Sequence, residues 1–307
     1  MSRSTQFRWL RYSACAVMLV AMGFLIVRTF FPGNESHSSV ATEISSAQPV
    51  VVDRSKQAEQ SPASAGDPTQ HPLDAVLSMA HDMLQDMRAN LQDYTAILVK
   101  RERIRGTLGD ETKMLLKVRN PIQTPGNERG LSVYVKFLEP SSTAGREVIW
   151  VDGANDGKLI SHEAGLKNIA RFKLAPDGML AMFGNKYPIT EIGLLRMVEK
   201  LIEKGNQDRE LGTCLVDKVE GEQIGGRPCQ LVQVTHTDKR PEFDFHIAQI
   251  FIDSERRIPL RYAAFLWPEN PAAPAPLEEE YTYLDLQTNV GLTDKDFDAD
   301  NPEYGFP

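Results

Sequence analysis

The sequence is poor in cysteine and has no excess of positive charge, and these two shortages exclude several classes of protein. Three cysteines among 307 residues are too few for a small fold that disulfide bonds hold together. Because 34 Lys and Arg stand against 42 Asp and Glu, the formal net charge is -8, which argues against binding nucleic acid by neutralising phosphates. With 41% hydrophobic and 25% charged residues, the composition is that of a globular protein, not of a collagen or a fully disordered chain.

The motifs of common catalytic and metal sites are also missing. The six histidines include no pair at the i,i+4 spacing with a glutamate between them, which a zinc protease needs. The stretch 130–134 lacks the second glycine of a nucleophile elbow, and the glycines of 106–109 have the wrong spacing for a phosphate-binding loop. We therefore predict a protein that is not an enzyme and has no catalytic residues, no metal site and no cofactor; an enzyme is the third hypothesis.

Aspartates alternate near the C-terminus, from Asp294 to Asp300, and resemble a calcium-binding loop. Ala299 and Gly305 stand where an EF-hand needs Gly and Glu, so that motif is excluded. Another calcium site is one alternative, and a turn capped by Thr293 or Asp294 is the preferred one. In that interpretation, three aromatic side chains hold the C-terminus against the fold: Phe297, Tyr304 and Phe306.

Residues 1–31 have the pattern of a membrane anchor. No charged residue lies between Tyr12 and Val27, and the extension to Phe31 gives a helix of about 30 Å, enough to cross a bilayer. Three arginines precede this run, so the positive-inside bias predicts a cytoplasmic N-terminus. A cleaved signal peptide is the alternative, but small residues do not follow the apolar stretch closely. We predict a single-pass protein of the inner membrane whose C-terminal domain lies in the periplasm.

The rest of the chain divides into a linker and one domain. Residues 32–71 are rich in Ser, Pro, Gln and Ala and have no aromatic residue, which is typical of a flexible, structureless tether. Residues 72–307 are numerous enough for one substantial core. This domain opens with a helix from Pro72 to about Asn90, in which apolar residues recur at helical spacing.

After this helix the apolar period changes to two, with Gly and Pro between the runs. Six strands are predicted first: Asp93 to Arg105, Glu111 to Arg119, Leu131 to Leu138, Arg146 to Val151, Lys158 to Glu163, and Ala170 to Leu174. An apolar insertion, Asp177 to Tyr187, leads to a helix capped by Thr190, with an apolar stripe from Ile192 to Ile202, that stops at Lys204-Gly205. Five strands follow: Leu211 to Glu222, Arg227 to Thr235, Phe245 to Asp253, Arg257 to Trp267, and Glu278 to Thr288.

The short connections favour antiparallel pairing over crossover units. A sheet of about eleven strands with one apolar face does not lie flat in water. We therefore predict an α+β fold in which one antiparallel sheet curls into an incomplete barrel around a helical plug or lid. The basic run from Lys100 to Arg105 is expected at a solvated strand edge, with contact to anionic headgroups as the alternative.

Several motifs resemble one bacterial family, which is known only as the domain of unknown function numbered 1571. The resemblance covers residues 75–307, and it rests on Tyr187 to Leu194, Arg227-Pro228-Cys229, Leu292-Thr293-Asp294, Asp296-Phe297-Asp298 and Asn301 to Tyr304. More remotely, the order of elements is similar to the half-barrel of the lipoprotein-localisation carriers LolA and LolB and of the stress-sensing regulator RseB. The resemblance implies a fold that holds acyl chains or lipidated ligands between sheet and lid.

Cys214 and Cys229 both lie in the part predicted to be exported, where disulfides are permitted. A hairpin turn at Gly225-Gly226 places Cys229 opposite residue 222, so a bridge to Cys214 requires another register or a neighbouring strand. Two alternatives stay open at this point: a disulfide bond between the two cysteines, and two free thiols.

The insertion and the helix that follows it contain the candidate binding residues. Methionines in a glycine-flanked segment adapt to ligands of variable shape, although core packing explains the same residues without a ligand. We predict a non-enzymatic domain, tethered to the inner membrane, that binds a hydrophobic or lipidated ligand, for example in envelope lipid or lipoprotein handling. The alternative is an envelope sensor that regulates a protein partner. The candidate lid residues are Met179, Met182, Phe183, Leu195 and Val198.

Overall fold

The computed structural model describes residues 48–52, 70–270 and 272–307. The predicted membrane anchor and most of the predicted linker lie outside these ranges, so the division of the chain at residues 31 and 71 stays a prediction. Within the described ranges, no helix is both long enough and apolar enough to cross a bilayer.

The first helix and the strands after it follow the predicted order. Helix α1 (Asp74–Asn90) buries Leu77, Met83, Leu84 and Met87 on one face, and Asp74 accepts a hydrogen bond from the backbone N–H of His71 at 3.0 Å. The strands of this half are β1 (Asp93–Ile104), β2 (Thr107–Leu108), β3 (Thr112–Arg119), β4 (Ile122–Thr124), β5 (Asn127–Arg129), β6 (Ser132–Glu139), β7 (Glu147–Val151), β8 (Leu159–His162) and β9 (Phe172–Leu174).

The insertion after β9 leads into the second helix, α2 (Leu194–Leu211), and the remaining strands follow it. These strands are β10 (Leu215–Ile224), β11 (Arg227–Thr235), β12 (Ile247–Asp253), β13 (Pro259–Phe265) and β14 (Leu277–Thr288). Among the described residues, only the short strands β2, β4 and β5 have no counterpart in the sequence prediction.

The strands form one long antiparallel sheet in the order β10-β11-β12-β13-β14-β1-β3-β6-β7-β8-β9, with β2 paired to β1 and a separate β4-β5 hairpin. The last strand, β14, pairs with the first, so the two halves of the sheet meet in the middle. β10 and β9 stay at opposite ends of this order, and the barrel is not closed. The predicted α+β fold with an incomplete antiparallel barrel is confirmed.

The sheet buries alternate residues against the two helices, which lie inside its curve. Along β1, Tyr94, Ala96 and Leu98 are buried in the same apolar cluster as Val198 and Ile202 of α2. The period-two pattern seen in the sequence therefore separates an inner face, which meets the helices, from an outer face.

The predicted ends of α2 are wrong at both termini. The helix begins at Leu194, after Gly193 at φ 121°, and Tyr94 Oη accepts the Leu194 N–H at 3.0 Å. It continues through Gly205 because this glycine lies against α1, where a Cβ would stand 2.8 Å from Leu77 Cδ2. Gly205 thus marks a close approach of two helices and does not end one.

The basic run of β1 does not lie at a strand edge, contrary to the prediction. β1 pairs with β14 on one side and with β3 on the other. Lys100 pairs with Glu102 at 2.8 Å, and Arg103 donates to the Leu277 carbonyl of β14. The pairing with β14 joins residues far apart in the sequence, which local pattern does not reveal.

The C-terminal aromatic residues hold the C-terminus against the fold, as predicted, and the structure places them on the outer face of β6 and β7. Phe297, Tyr304 and Phe306 form a cluster with Tyr134 and Ile149. Their turn is closed by the Asp296 carboxylate, which accepts the Thr293 N–H at 2.9 Å. The aspartates pair with cations across the sheet: Asp294 with Arg119, Asp296 with Lys117 and Asp300 with Arg171. Among the described residues, no group of three His, Cys, Asp or Glu side chains is placed to hold a metal ion.

Cys214 and Cys229 are both buried and both free. Glu222 stands opposite Cys229, as the predicted hairpin register requires. Burial raises the pKa of each thiol to about 11, so both are protonated at neutral pH.

A short piece of the predicted linker contacts the sheet. The side chain of Gln249 on β12 accepts the Val50 N–H at 3.1 Å and donates to the Val50 carbonyl at 2.8 Å. Val50 and Val52 also pack against the main apolar cluster. A fixed contact of this kind is not expected for a structureless tether.

Candidate binding cavity

A cavity of about 1010 Å³ lies between the inner face of the sheet and the two helices. Its volume is at the upper end of the roughly 300–1,000 Å³ that is usual for ligand pockets. Strands from both halves of the sheet line it, together with α1, α2 and the insertion. The curl of the sheet therefore leaves space that the helices do not fill.

Most of the cavity wall is apolar. Alternate residues of neighbouring strands supply it, because these positions share the inner face of the sheet. The apolar lining of the strands includes Leu98, Val135, Phe137, Val148, Leu159, Val232, Val234, Ala248, Ile250 and Ile252. The helices add Val76, Met79, Ala80, Met83, Met197, Val198 and Leu201.

One part of the wall is charged, and Lys186 lies at its centre. Its Nζ stands 2.7 Å from Glu278 Oε1 and 2.8 Å from Glu279 Oε2. Tyr187 Oη also donates to Glu279 Oε2, at 3.1 Å. These contacts tie the insertion to β14, and they give both Glu278 and Glu279 a partner.

A second group of contacts ties the same segment to β1. Glu102 Oε2 accepts from Lys100 Nζ at 2.8 Å and from the Lys186 N–H at 3.1 Å. Glu102 Oε1 accepts from Tyr281 Oη at 2.6 Å, and Lys100 Nζ donates to Asn185 Oδ1 at 2.8 Å. We call the residues of these two groups the charge cluster: Lys100, Glu102, Asn185, Lys186, Tyr187, Glu278, Glu279 and Tyr281.

Burial and neighbouring charges shift the pKa of four residues of the charge cluster: Lys186, Tyr187, Glu279 and Tyr281. Burial raises the pKa of Glu279, an effect that the Lys186 ammonium offsets only in part. Burial acts against the charge of Lys186 too, but the carboxylates of Glu279 and Glu278 outweigh it and raise the pKa of this lysine. Burial and the same carboxylate raise the pKa of Tyr187 and Tyr281. The tyrosines therefore act as hydrogen-bond donors at neutral pH.

The cavity opens beside the insertion. Leu180 and Phe183 line it, yet their side chains are 71% and 86% exposed. Phe172 at the edge strand β9 also lines the cavity and is 43% exposed. Apolar side chains thus mark the mouth as well as the interior.

The structure brings two of the five predicted lid residues to the cavity, Phe183 and Val198. Leu195 is buried in the main apolar cluster and does not line the cavity. Met179 and Met182 also lie outside the lining, and Met179 is 86% exposed. A ligand-binding role for any of the five stays a prediction.

The sequence interpretation missed the charge cluster. One signal was present, because Lys100 and Glu102 have the same strand parity as Leu98 and therefore face inward. Three consecutive glutamates from Glu278 to Glu280 are also unusual within a strand pattern. Either signal marks a charged wall, but neither identifies the partners across the cavity.

These features define a class of fold, a partly open antiparallel barrel with two helices inside its curve and an apolar cavity between them. The chain belongs to the family described as a protein of unknown function, DUF1571, whose sequence model matches residues 91–306. The family resemblance inferred from the motifs is therefore confirmed. No curated protein matches the chain.

Several solved structures are similar to this chain at low identity. A DUF1329 family protein from Desulfovibrio piger is 13% identical, with a TM-score of 0.36 over 75% of this chain and 98% of that chain. A chain of the Pseudomonas aeruginosa MucA/MucB complex is 12% identical, with a TM-score of 0.42 over 73% and 60%. A LolA superfamily protein from Nitrosomonas europaea is 11% identical, with a TM-score of 0.29 over 71% and 97%. Because these TM-scores are below 0.5, the likenesses carry no argument about function.

Proposed function

We propose that this protein holds a hydrophobic or lipidated ligand in the cavity between sheet and helices, without catalysing a reaction. The observation that carries the proposal is an apolar cavity of about 1010 Å³ whose mouth has exposed apolar side chains. The predicted anchor would keep the domain on the periplasmic side of the inner membrane, close to a source of lipid.

The wall of the cavity suits an acyl chain better than a polar metabolite. Burying a methylene group contributes about 0.8 kcal/mol, so ten of them contribute about 8 kcal/mol before the cost of immobilising the ligand. The charge cluster does not offset this preference, because its carboxylates and ammonium groups are already paired with one another. An acyl chain would lie along the apolar strands and leave its polar end near the mouth.

Lipid analysis of the purified full-length chain tests the proposal. The protein is extracted from its native membrane in mild detergent, and bound lipids are identified by mass spectrometry. Ile250→Trp should fill part of the cavity, because Ile250 lines it, whereas Ile247→Trp changes the same residue type on the same strand outside the lining. We expect bound lipid in the wild type and in Ile247→Trp, and a several-fold lower amount in Ile250→Trp.

Two outcomes count against lipid binding. Equal lipid recovery from both variants would place the lipid outside the cavity. A wild-type protein that carries no lipid but forms a stable complex with one protein partner would favour the alternative, a sensor domain.

A further inference from the structure

Six large apolar side chains between residues 166 and 183 are exposed. The most exposed are Leu166, Ile169, Met179 and Phe183, each more than 80% accessible. Single exposed apolar residues are common, but a group of this size on one short segment is typical of an interaction site. We call this group the apolar rim: Leu166, Ile169, Phe172, Met179, Leu180 and Phe183.

The apolar rim lies around the mouth of the cavity. Phe172, Leu180 and Phe183 belong to the rim and also line the cavity. Leu166 and Ile169 lie in the loop between β8 and β9, and Glu163 and Phe172 on either side of that loop both line the cavity. A surface that covers the rim therefore meets the cavity entrance.

The rim is basic, although the chain as a whole has a net charge of -8. Between residues 164 and 183 there are three cationic residues and one acidic residue, Asp177. The cationic residues Lys167, Arg171 and Lys173 are all exposed and alternate with the apolar side chains. Arg171 is paired with Asp300, so Lys167 and Lys173 carry the positive charge that the rim presents. Apolar side chains beside Lys and Arg match the interface of a bilayer that contains anionic lipid.

Contacts with the C-terminal residues hold the rim in place. Asn168 Nδ2 donates to the Gly305 carbonyl at 2.7 Å, and Arg171 Nε donates to the Pro307 carbonyl at 2.9 Å. The loop that presents Leu166 and Ile169 is thus fixed at its base while its apolar tips face solvent. A fixed loop loses less conformational freedom on binding than a mobile one.

We propose that the apolar rim inserts into the surface of an anionic bilayer and places the cavity mouth against the lipid. This inference deepens the proposed function, since it names the surface from which a ligand enters. Leu166 and Ile169 contact the acyl region, and Lys167 and Lys173 contact lipid phosphates. The insertion and the β8-β9 loop together form the contact.

Depth-dependent quenching tests this inference on the full-length chain reconstituted into vesicles. A fluorescent amino acid replaces Leu166 or Ile169, which do not line the cavity, so that lipid inside the cavity does not quench them. The control site is Val290, 45% exposed, whose neighbour Gly291 donates to Asp93 at the start of β1. Asp93 and Glu102 lie at opposite ends of β1, and Glu102 lines the cavity. At about 3.3 Å per residue along the strand, the control site is therefore roughly 30 Å from this part of the cavity wall.

With brominated phosphatidylcholine and 30% phosphatidylglycerol, we expect at least threefold stronger quenching at residues 166 and 169 than at residue 290. Lys173→Glu should lower the quenching at residue 166 at least twofold, whereas Lys295→Glu, the same change at an exposed site in the C-terminal turn, should leave it unchanged. Quenching at 166 and 169 that does not exceed that at 290 overturns the inference. Quenching at residue 166 that Lys173→Glu does not lower also overturns the inference.

A cavity variant separates this inference from the proposed function. Ile250→Trp should lose bound lipid but keep the quenching at residue 166, because the rim is unchanged. Lipid recovery from the wild type without rim quenching refutes the rim and leaves the lipid cavity standing. Rim quenching without recovered lipid refutes the cavity proposal and leaves the bilayer contact standing.

Discussion

Replacing Lys186 by methionine removes the cation at the centre of the charge cluster and keeps a side chain of similar length. The Lys186 ammonium contacts Glu278 at 2.7 Å and Glu279 at 2.8 Å. The side chain of Glu279 is 9% exposed, so its carboxylate cannot recover full hydration when the lysine is gone. Removing one partner of a largely buried ion pair leaves an uncompensated charge, which is costly.

The expected loss of stability at pH 8 is about 3 kcal/mol. A hydrogen bond to a charged group contributes about 1.5–3 kcal/mol, and the partial exposure of Glu278 weakens the second one. Part of this loss depends on pH, because burial already raises the pKa of Glu279 above its ordinary 4.5. Without Lys186 that pKa rises further, since the group that favours the carboxylate is absent.

The sign of the pH dependence follows from this raised pKa. Below about pH 4.5, Glu279 is neutral in both the folded and the unfolded chain, and no buried charge is left unpaired. As the pH rises towards the folded pKa, the unfolded chain releases the proton first, so the stability of the variant falls by up to about 1.4 kcal/mol per pH unit. We therefore expect a loss near 1 kcal/mol at pH 4.5 that grows to about 3 kcal/mol at pH 8.

Urea unfolding of Lys186→Met and the wild type, followed by tryptophan fluorescence at several pH values, measures this difference. The double variant Lys186→Met/Glu279→Gln is the control, since a neutral amide replaces the unpaired carboxylate. It should be more stable than Lys186→Met at pH 8 and should lack most of the pH dependence. A loss that is equal at pH 5 and pH 8, or additive effects in the double variant, would refute the reasoning.

Two further predictions concern the packing of the sheet. Tyr94→Phe should lower the free energy of unfolding by about 1–2 kcal/mol, because the Leu194 N–H at the start of α2 loses its acceptor, Tyr94 Oη at 3.0 Å. Urea unfolding measures the loss, and an unchanged midpoint contradicts it. Cys214 and Cys229 should stay unlabelled by iodoacetamide at pH 8 until the chain is unfolded, because both thiols are buried and have a pKa of about 11. Mass spectrometry measures the adducts. Rapid labelling of these two cysteines in the native protein would contradict their burial.

Much of the sheet could be predicted from local pattern. β11 has the predicted bounds, Arg227–Thr235, because its apolar residues alternate and Gly225-Gly226 supplies the turn before it. The turn also fixes the register, and Glu222 does stand opposite Cys229. Where a strand and its partner are joined by a tight turn, the sequence contains the information that sets their pairing.

The wrong predictions share one cause, since each depends on residues distant in the chain. Gly205 looks like a helix stop until Leu77 of α1 is placed against it. The basic run of β1 looks like an edge until β14 pairs with it, with Glu102 opposite Glu279. The hydrogen bond from Tyr281 to Glu102 likewise spans 179 residues of sequence. Period and turn chemistry do not encode such contacts.

The predicted lid residues of the insertion and of α2 differ in their exposure, in whether they line the cavity, and in whether they pack in the core. Leu195 is 8% exposed and packs in the main apolar cluster, outside the cavity lining. Val198 is also buried, yet it reaches the cavity wall. Phe183 lines the cavity while 86% exposed, and Met179 is equally exposed outside it. An apolar stripe at helical spacing cannot distinguish these roles, because the same hydrophobicity suits a core, a ligand wall and a membrane contact.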